Sequence, residues 1–112
     1  MDKTKRPEIL KGETIRASAG CGNVYITINK DNDGKIIEVF STIGKAGACS
    51  SAISESICRM ISLSLAYNVP IPEIVKQLKG IRCPSPKWHN GEQNLSCLDT
   101  IAKVLESVNK SE

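Results

Sequence analysis

Apolar and polar residues alternate along the first half of the chain and then change period. In "VYITIN", Val24, Ile26 and Ile28 fall on one side of an extended backbone and Tyr25 and Thr27 on the other, the period-two pattern of a half-buried strand. "ETIRAS" before it reads as a shorter strand, and "IIEVFSTI" after it is rich in β-branched and aromatic residues. Between the last two, "KDNDGK" offers Asp33-Gly34, a pair suited to the positive backbone angles of a tight turn, so the stretch predicts a β-hairpin. "DNDG" also has the look of part of a calcium loop, but the glutamate such a loop needs six positions beyond its glycine is Phe40 here, and a turn is the better reading.

Beyond Gly44 and Gly47 the apolar positions recur every four residues, at Cys49, Ile53, Ile57, Ile61 and Leu65, with Met60 beside them. That stripe predicts a long helix over 47–67, ended by Asn68 and Pro70. Pro72 suits the first turn of a shorter helix, "PEIVKQLK", which Gly80 closes. In "SCLDTIAKVLESV", Ser96 is placed as an N-cap with Asp99 three residues later, and Leu98, Ile101, Leu105 and Val108 share a face, predicting a last helix. Strands first and helices afterwards predict an α+β fold, a small antiparallel sheet of about three strands with three helices packed on one face. Residues 1–12, charged and containing Pro7, read as a loosely held lead-in to a single domain over 13–109.

Composition narrows the class. With 40% hydrophobic but only 4% aromatic residues, the core of this 112-residue chain has to be aliphatic. Fifteen basic residues against twelve acidic give a net charge of +3, which allows contact with an anion but lacks the basic excess of a nucleic-acid binder. There is no apolar run of about 18 residues to span a membrane and no signal-peptide core, so the expectation is a cytoplasmic protein without a membrane partner.

Five cysteines are many for such a chain, and in a reducing compartment they point to ligands, catalytic groups or small core residues rather than a disulfide framework. Cys58, at the edge of the helical stripe, reads as core filler. Cys21 lies between two glycines, Cys83 in the loop "GIRCPSPKWHN", which Gly80, Pro84 and Pro86 keep out of regular helix or strand, and Cys49 and Cys97 in first turns of predicted helices. Helix starts favour a thiolate. Four such thiols could converge on a tetrahedral zinc, although their separations of 28, 34 and 14 residues contain no C-x-x-C knuckle. His89, the one histidine, could replace a cysteine as ligand or act as base for a nucleophilic thiol at Cys83 or Cys97. A third use of the same region is anion binding. "IGKAGACSS", without Walker spacing, and "SAGCGN" are glycine turns expected at the same end of the hairpin, and Lys45, Gly47, Arg82, Lys87 and Trp88 would suit the phosphate and base of a nucleotide.

Taken together, "RPEILKGETIRASAGCGNVYITIN", "GKAGACSSAISESICRMISLSL", "IVKQLKGIRCPSPKW" and "LSCLDTIAKVL" resemble the TSCPD domain, a module near the C-terminus of adenosylcobalamin-dependent ribonucleotide reductases that also has small free-standing relatives. The motif behind the family's name reads "LSCLD" here, with Leu98 where proline is usual, a difference of helix-start geometry rather than chemistry. The resemblance implies that Cys21, Cys49, Cys83 and Cys97 match family cysteines suggested to bind metal, and that Trp88 either covers that cluster or offers a stacking face. The reductase catalytic barrel is absent from these 112 residues, so no catalytic residue is assigned. The expectation is a non-catalytic module binding zinc through clustered cysteines and associated with a ribonucleotide reductase or another nucleotide-handling protein; the alternative is a small protein that sequesters or senses a nucleotide or nucleotide derivative. A small sheet with open edges can also pair across a two-fold axis, which keeps a homo-oligomer among the expectations.

Overall fold

The computed structural model describes residues 2–20, 22–43, 49–83, 86–89 and 91–110, with Cys49, Ser50 and His89 as backbone only. Their elements run β1 (Lys11–Ala19), β2 (Gly22–Lys30), β3 (Ile36–Ile43), α1 (Cys49–Ala66), α2 (Ile71–Leu78), β4 (Lys87–His89), β5 (Glu92–Asn94) and α3 (Cys97–Lys110). The first three strands form an antiparallel meander in the order β1-β2-β3. Val24, Ile26 and Ile28 are wholly buried while Tyr25 is exposed, so the alternation sorts the two faces as it must. The register continues the buried face outward, with Ile15 and Ala17 opposite Ile26 and Val24, and Val39 and Ile43 opposite Ile28 and Val24. Ile61 and Leu65 of α1, Ile74 and Leu78 of α2, and Ile101 and Leu105 of α3 join the same core, giving the α+β layering that the element order predicts. Fully burying each such aliphatic side chain stabilises the fold by roughly 1.5–3 kcal/mol.

The β2–β3 connection is wider than a tight turn at Asp33-Gly34. Residues 31–35 form a loop in which Asp31 Oδ1 accepts the N–H groups of Asp33 and Lys35, each at 2.9 Å, and Gly34 supplies the positive φ of 82°. Helix α1 begins and ends close to the predicted bounds, and Asn68 closes it with a left-handed φ of 62°. Its buried face differs from the predicted stripe. Ser54, Cys58, Ile61 and Leu65 are buried, whereas Ile53 and Met60 are exposed. The reason is that α1 meets β3 partly through hydrogen bonds. Ser54 pairs with Ser41, Cys58 Sγ donates to Ser41 Oγ at 3.2 Å, and Ser62 Oγ accepts from the Val39 N–H at 3.0 Å and donates to the Val39 carbonyl at 3.1 Å. β3 is an edge strand, and Ser62 satisfies both backbone groups that Val39 turns away from β2.

Two further segments are more ordered than the pattern predicts. The charged residues before β1 are tied down: the Thr4 N–H donates to the Ala66 carbonyl at 2.7 Å, and Arg6 Nε and Nη2 grip both oxygens of Glu38 at 2.9 Å. Asn29 adds a third donor at 2.9 Å. A Cβ on Gly12 would overlap Asn29 Oδ1 and sit 2.8 Å from the Ile28 carbonyl oxygen, so glycine there makes room for this network. The 80–90 loop holds a strand after all. Lys87–His89 pairs with Glu92–Asn94, and Gly91, just ahead of β5, has a φ of 81°. Asn-Gly is the strongest short hairpin signal, and here it prevails over the two prolines upstream. Among the described residues no helix is long and apolar enough to cross a membrane.

Candidate functional site

The register fixes where the cysteine-bearing segments go. Ala19 pairs with Gly22 and Val24 with Ile43, so the strand ends that flank Cys21 in the sequence and the end of β3 that leads toward Cys49 are at the same end of the sheet. Asn94 Nδ2 donates to the Ser18 carbonyl at 2.6 Å, which brings the end of β5 to that corner too, three residues before Cys97 opens α3. The Cys83 N–H then donates to the Leu95 carbonyl at 2.8 Å, laying the chain that leaves α2 beside the entry to α3. Cys83 and Cys97 are thereby brought to one place although 14 residues separate them.

Asp99 makes that meeting rigid. Its side chain is almost wholly buried, and it accepts the Gly80 N–H on Oδ1 at 2.8 Å and the Leu95 N–H on Oδ2 at 3.0 Å. Lys103, one turn along the helix, places Nζ 3.1 Å from Oδ2 and donates to the Gln93 carbonyl at 2.6 Å. Burial pushes the Asp99 carboxyl up, but the two backbone donors and the Lys103 ammonium outweigh it and hold its pKa below the usual aspartate value. Ser96 is the N-cap that the sequence predicts. Its Oγ accepts the Asp99 N–H at 3.0 Å and donates to the Ile81 carbonyl at 2.6 Å, a second tie between the same two segments. The spacing of Ser96 and Asp99 signals a cap; it does not signal that the Asp99 carboxylate reaches across to Gly80, because its partners there are backbone groups common to every residue.

The remaining predicted site residues divide in three. Cys97 is buried and Cys83 half-buried; Arg82, Lys87 and Trp88 are exposed, with Trp88 68% accessible. Cys49 is the first residue of α1, where only its backbone is described, and the His89 backbone is in β4. Cys21, Lys45 and Gly47 lie outside the described residues. Among the described residues no three His, Cys, Asp or Glu side chains gather as metal ligands, a set that includes only two of the four predicted cysteine ligands. Cys58 stands apart in the core, where burial pushes its thiol pKa up and the Ser41 hydroxyl only partly offsets this, the state of an unreactive thiol.

A model of the TSCPD domain matches residues 2–109, nearly the whole chain. The chain belongs to the TSCPD domain family. This TSCPD chain is 35% identical over 75 residues to a vitamin B12-dependent ribonucleotide reductase of Agrobacterium fabrum, covering 67% of the chain and 6% of the reductase. To the enzyme of the same name from Bradyrhizobium diazoefficiens it is 32% identical over 74 residues, again 6% of the reductase. The TSCPD chain thus corresponds to a small part of these curated relatives. No solved structure matches it.

Proposed function

We propose that this chain is a non-catalytic TSCPD module that binds one zinc ion through Cys21, Cys49, Cys83 and Cys97 and works by association with a ribonucleotide reductase or another nucleotide-handling protein. The observation that carries the reading is the corner itself. The strand register and the Asn94–Ser18 bond bring Ala19, Gly22, Ile43 and the approach to α3 to one end of the sheet, and the Asp99 clamp ties the Cys83 and Cys97 segments together, which supports the reading. The donor chemistry fits: Cys97 and Cys49 stand at helix starts, which favour thiolates, and thiolates suit zinc. A four-thiolate zinc is coordinatively closed, so it supplies a cross-link between loops and no open position for catalysis. Asp99, Ser96 and Lys103 hold the Cys83 and Cys97 segments in place, and the exposed hairpin β4–β5 is left to meet a partner.

The test is metal content in protein purified without added zinc. About one equivalent per chain, lost in Cys83→Ser, together with unfolding by a chelator, is the expected result; less than about a tenth of an equivalent and a fold indifferent to chelator overturn the reading. Association is tested separately, by sedimentation of the zinc-loaded chain mixed with a purified vitamin B12-dependent ribonucleotide reductase, where a faster-moving complex is expected.

A second reading follows from the exposure of Arg82, Lys87 and Trp88 in one segment, an accessible cationic and aromatic set suited to a nucleotide's phosphate and base. Saturable calorimetric binding of a nucleotide or ADP-ribose derivative, lost in Trp88→Ala and in Lys45→Ala, supports it. Silence across such ligands counts against it.

A further inference from the structure

The outward face of α1 is apolar without being covered. Among the 18 residues of this helix, Glu55 and Arg59 are the charged ones, and they pair with each other at 3.6 Å. At about 100° per residue, Ile53, Ile57, Met60 and Ser64 fall within an arc of roughly 60°, well round the helix from that pair. The fold leaves Ile53 and Met60 about half exposed, at 49% and 59%. Beside the stripe, between α1 and α2, runs a largely apolar groove of about 400 Å³ whose walls include Ile57, Met60, Ser64, Val69 and Ile74, together with Glu73 and Gln77 of α2. Ile53 does not line it. The same face therefore carries a protruding isoleucine at one end and an apolar hollow at the other.

We propose that this face is a homodimer contact in which α1 packs antiparallel against α1 of a second copy across a two-fold axis lying between Ile57 and Met60. The register follows from the spacing. Under that axis Ile53 of one copy faces Ser64 of the other, so the large side chain enters the groove where the helix presents a small one, and Ile57 faces Met60. Because the contact is isologous, each copy fills the other's hollow. The α1 stripe carries no charge and Glu73 of α2 is the one charged residue among those lining the groove, which favours a second copy over a partner chosen by charge complementarity. Under this register the two helices overlap over residues 51–66, about 24 Å, which even with the α2 wall of the groove puts the contact at the small end of stable interfaces. The dimer is therefore expected to depend on concentration.

Sedimentation velocity of the intact chain between about 10 and 300 μM, a range that brackets weak to moderate affinities, reads the result as mass. The expected outcome is a shift from 12.1 kDa toward twice that value, abolished in Ile53→Glu, whose side chain lies outside the core. Ser64→Lys likewise leaves a monomer. An equimolar mixture of the two variants restores association, because Glu from one copy then meets Lys from the other. Unchanged circular dichroism and a cooperative melt in both variants keep the readout clear of misfolding. A wild-type chain that stays monomeric to 300 μM overturns the proposal, and so does a dimer that survives Ile53→Glu, since it uses another face.

Discussion

Asp99 carries two jobs that pull its pKa in opposite directions, and the outcome decides how firmly the Cys83 segment is held. Buried from solvent, the carboxylate persists because Gly80, Leu95 and Lys103 all donate to it. Asp99→Asn keeps the shape but turns one oxygen into an amide donor that faces a backbone N–H, leaving two donors opposed. The expected cost is about 1–3 kcal/mol, the ordinary penalty for a buried group that loses its partner, measured by urea denaturation. A structural role confined to capping α3 would leave Gly80 untouched. If Asp99 instead joins the two segments, exchange of the Gly80 and Leu95 amide protons speeds up beyond what the global loss of stability explains. At this scale the sequence is only partly readable. Ser96 and Asp99 advertise a helix start, and the cysteines advertise element ends, but a carboxylate that captures the Gly80 amide 19 residues upstream leaves no pattern at that amide.

Among the elements, α1 shows most clearly where periodicity informs and where it misleads. Its extent follows from four-residue spacing and from Asn68 at its end, as do the three strands of the meander from alternation. Its buried face does not, because apolar spacing counts serine as solvent-facing and the helix uses Ser54 and Ser62 to dock on β3. Ser62→Ala leaves the Val39 N–H and carbonyl unsatisfied at the covered edge of the sheet. The expected loss is about 1–2 kcal/mol, read as a melting temperature lower by roughly 4–8 °C for each kcal/mol in a domain of this size. No change in melting temperature would mean that water replaces the hydroxyl at that edge. The hairpin β4–β5 is missed by the sequence reading, because three-residue strands are too short for alternation to announce them and the prolines before them argue for irregular chain; its one signal is Asn90–Gly91.

For the molecule as a whole, the N-terminal residues that look expendable in the sequence are joined to the sheet through Arg6 and Glu38, and pH reports on that joint. The Arg6 guanidinium, with help from Asn29, lowers the Glu38 pKa against the upward push of burial. A lowered carboxyl binds its proton less readily in the folded chain than in the unfolded one. Its stabilisation is therefore complete above the ordinary glutamate value near 4.3 and disappears as pH falls through the folded-state value. Asp99 and Glu106 are shifted in the same direction, Glu106 chiefly by Lys79, so the wild-type chain is expected to lose stability on the acid side. Arg6→Met isolates the Glu38 share. Without the guanidinium, burial leaves the charged carboxylate disfavoured, and the variant is least stable relative to wild type near neutral pH. As pH drops and Glu38 becomes protonated in both proteins, the difference closes. Urea midpoints of the two proteins measured side by side from about pH 7 down to pH 3 test this, the interval that brackets ordinary carboxylate titration. A gap that narrows with acid shows that the ion pair fastens the N-terminal segment to β3. A gap constant with pH assigns the same contact to packing of the arginine stem, and no gap at any pH would mean that the segment contributes nothing to holding the sheet.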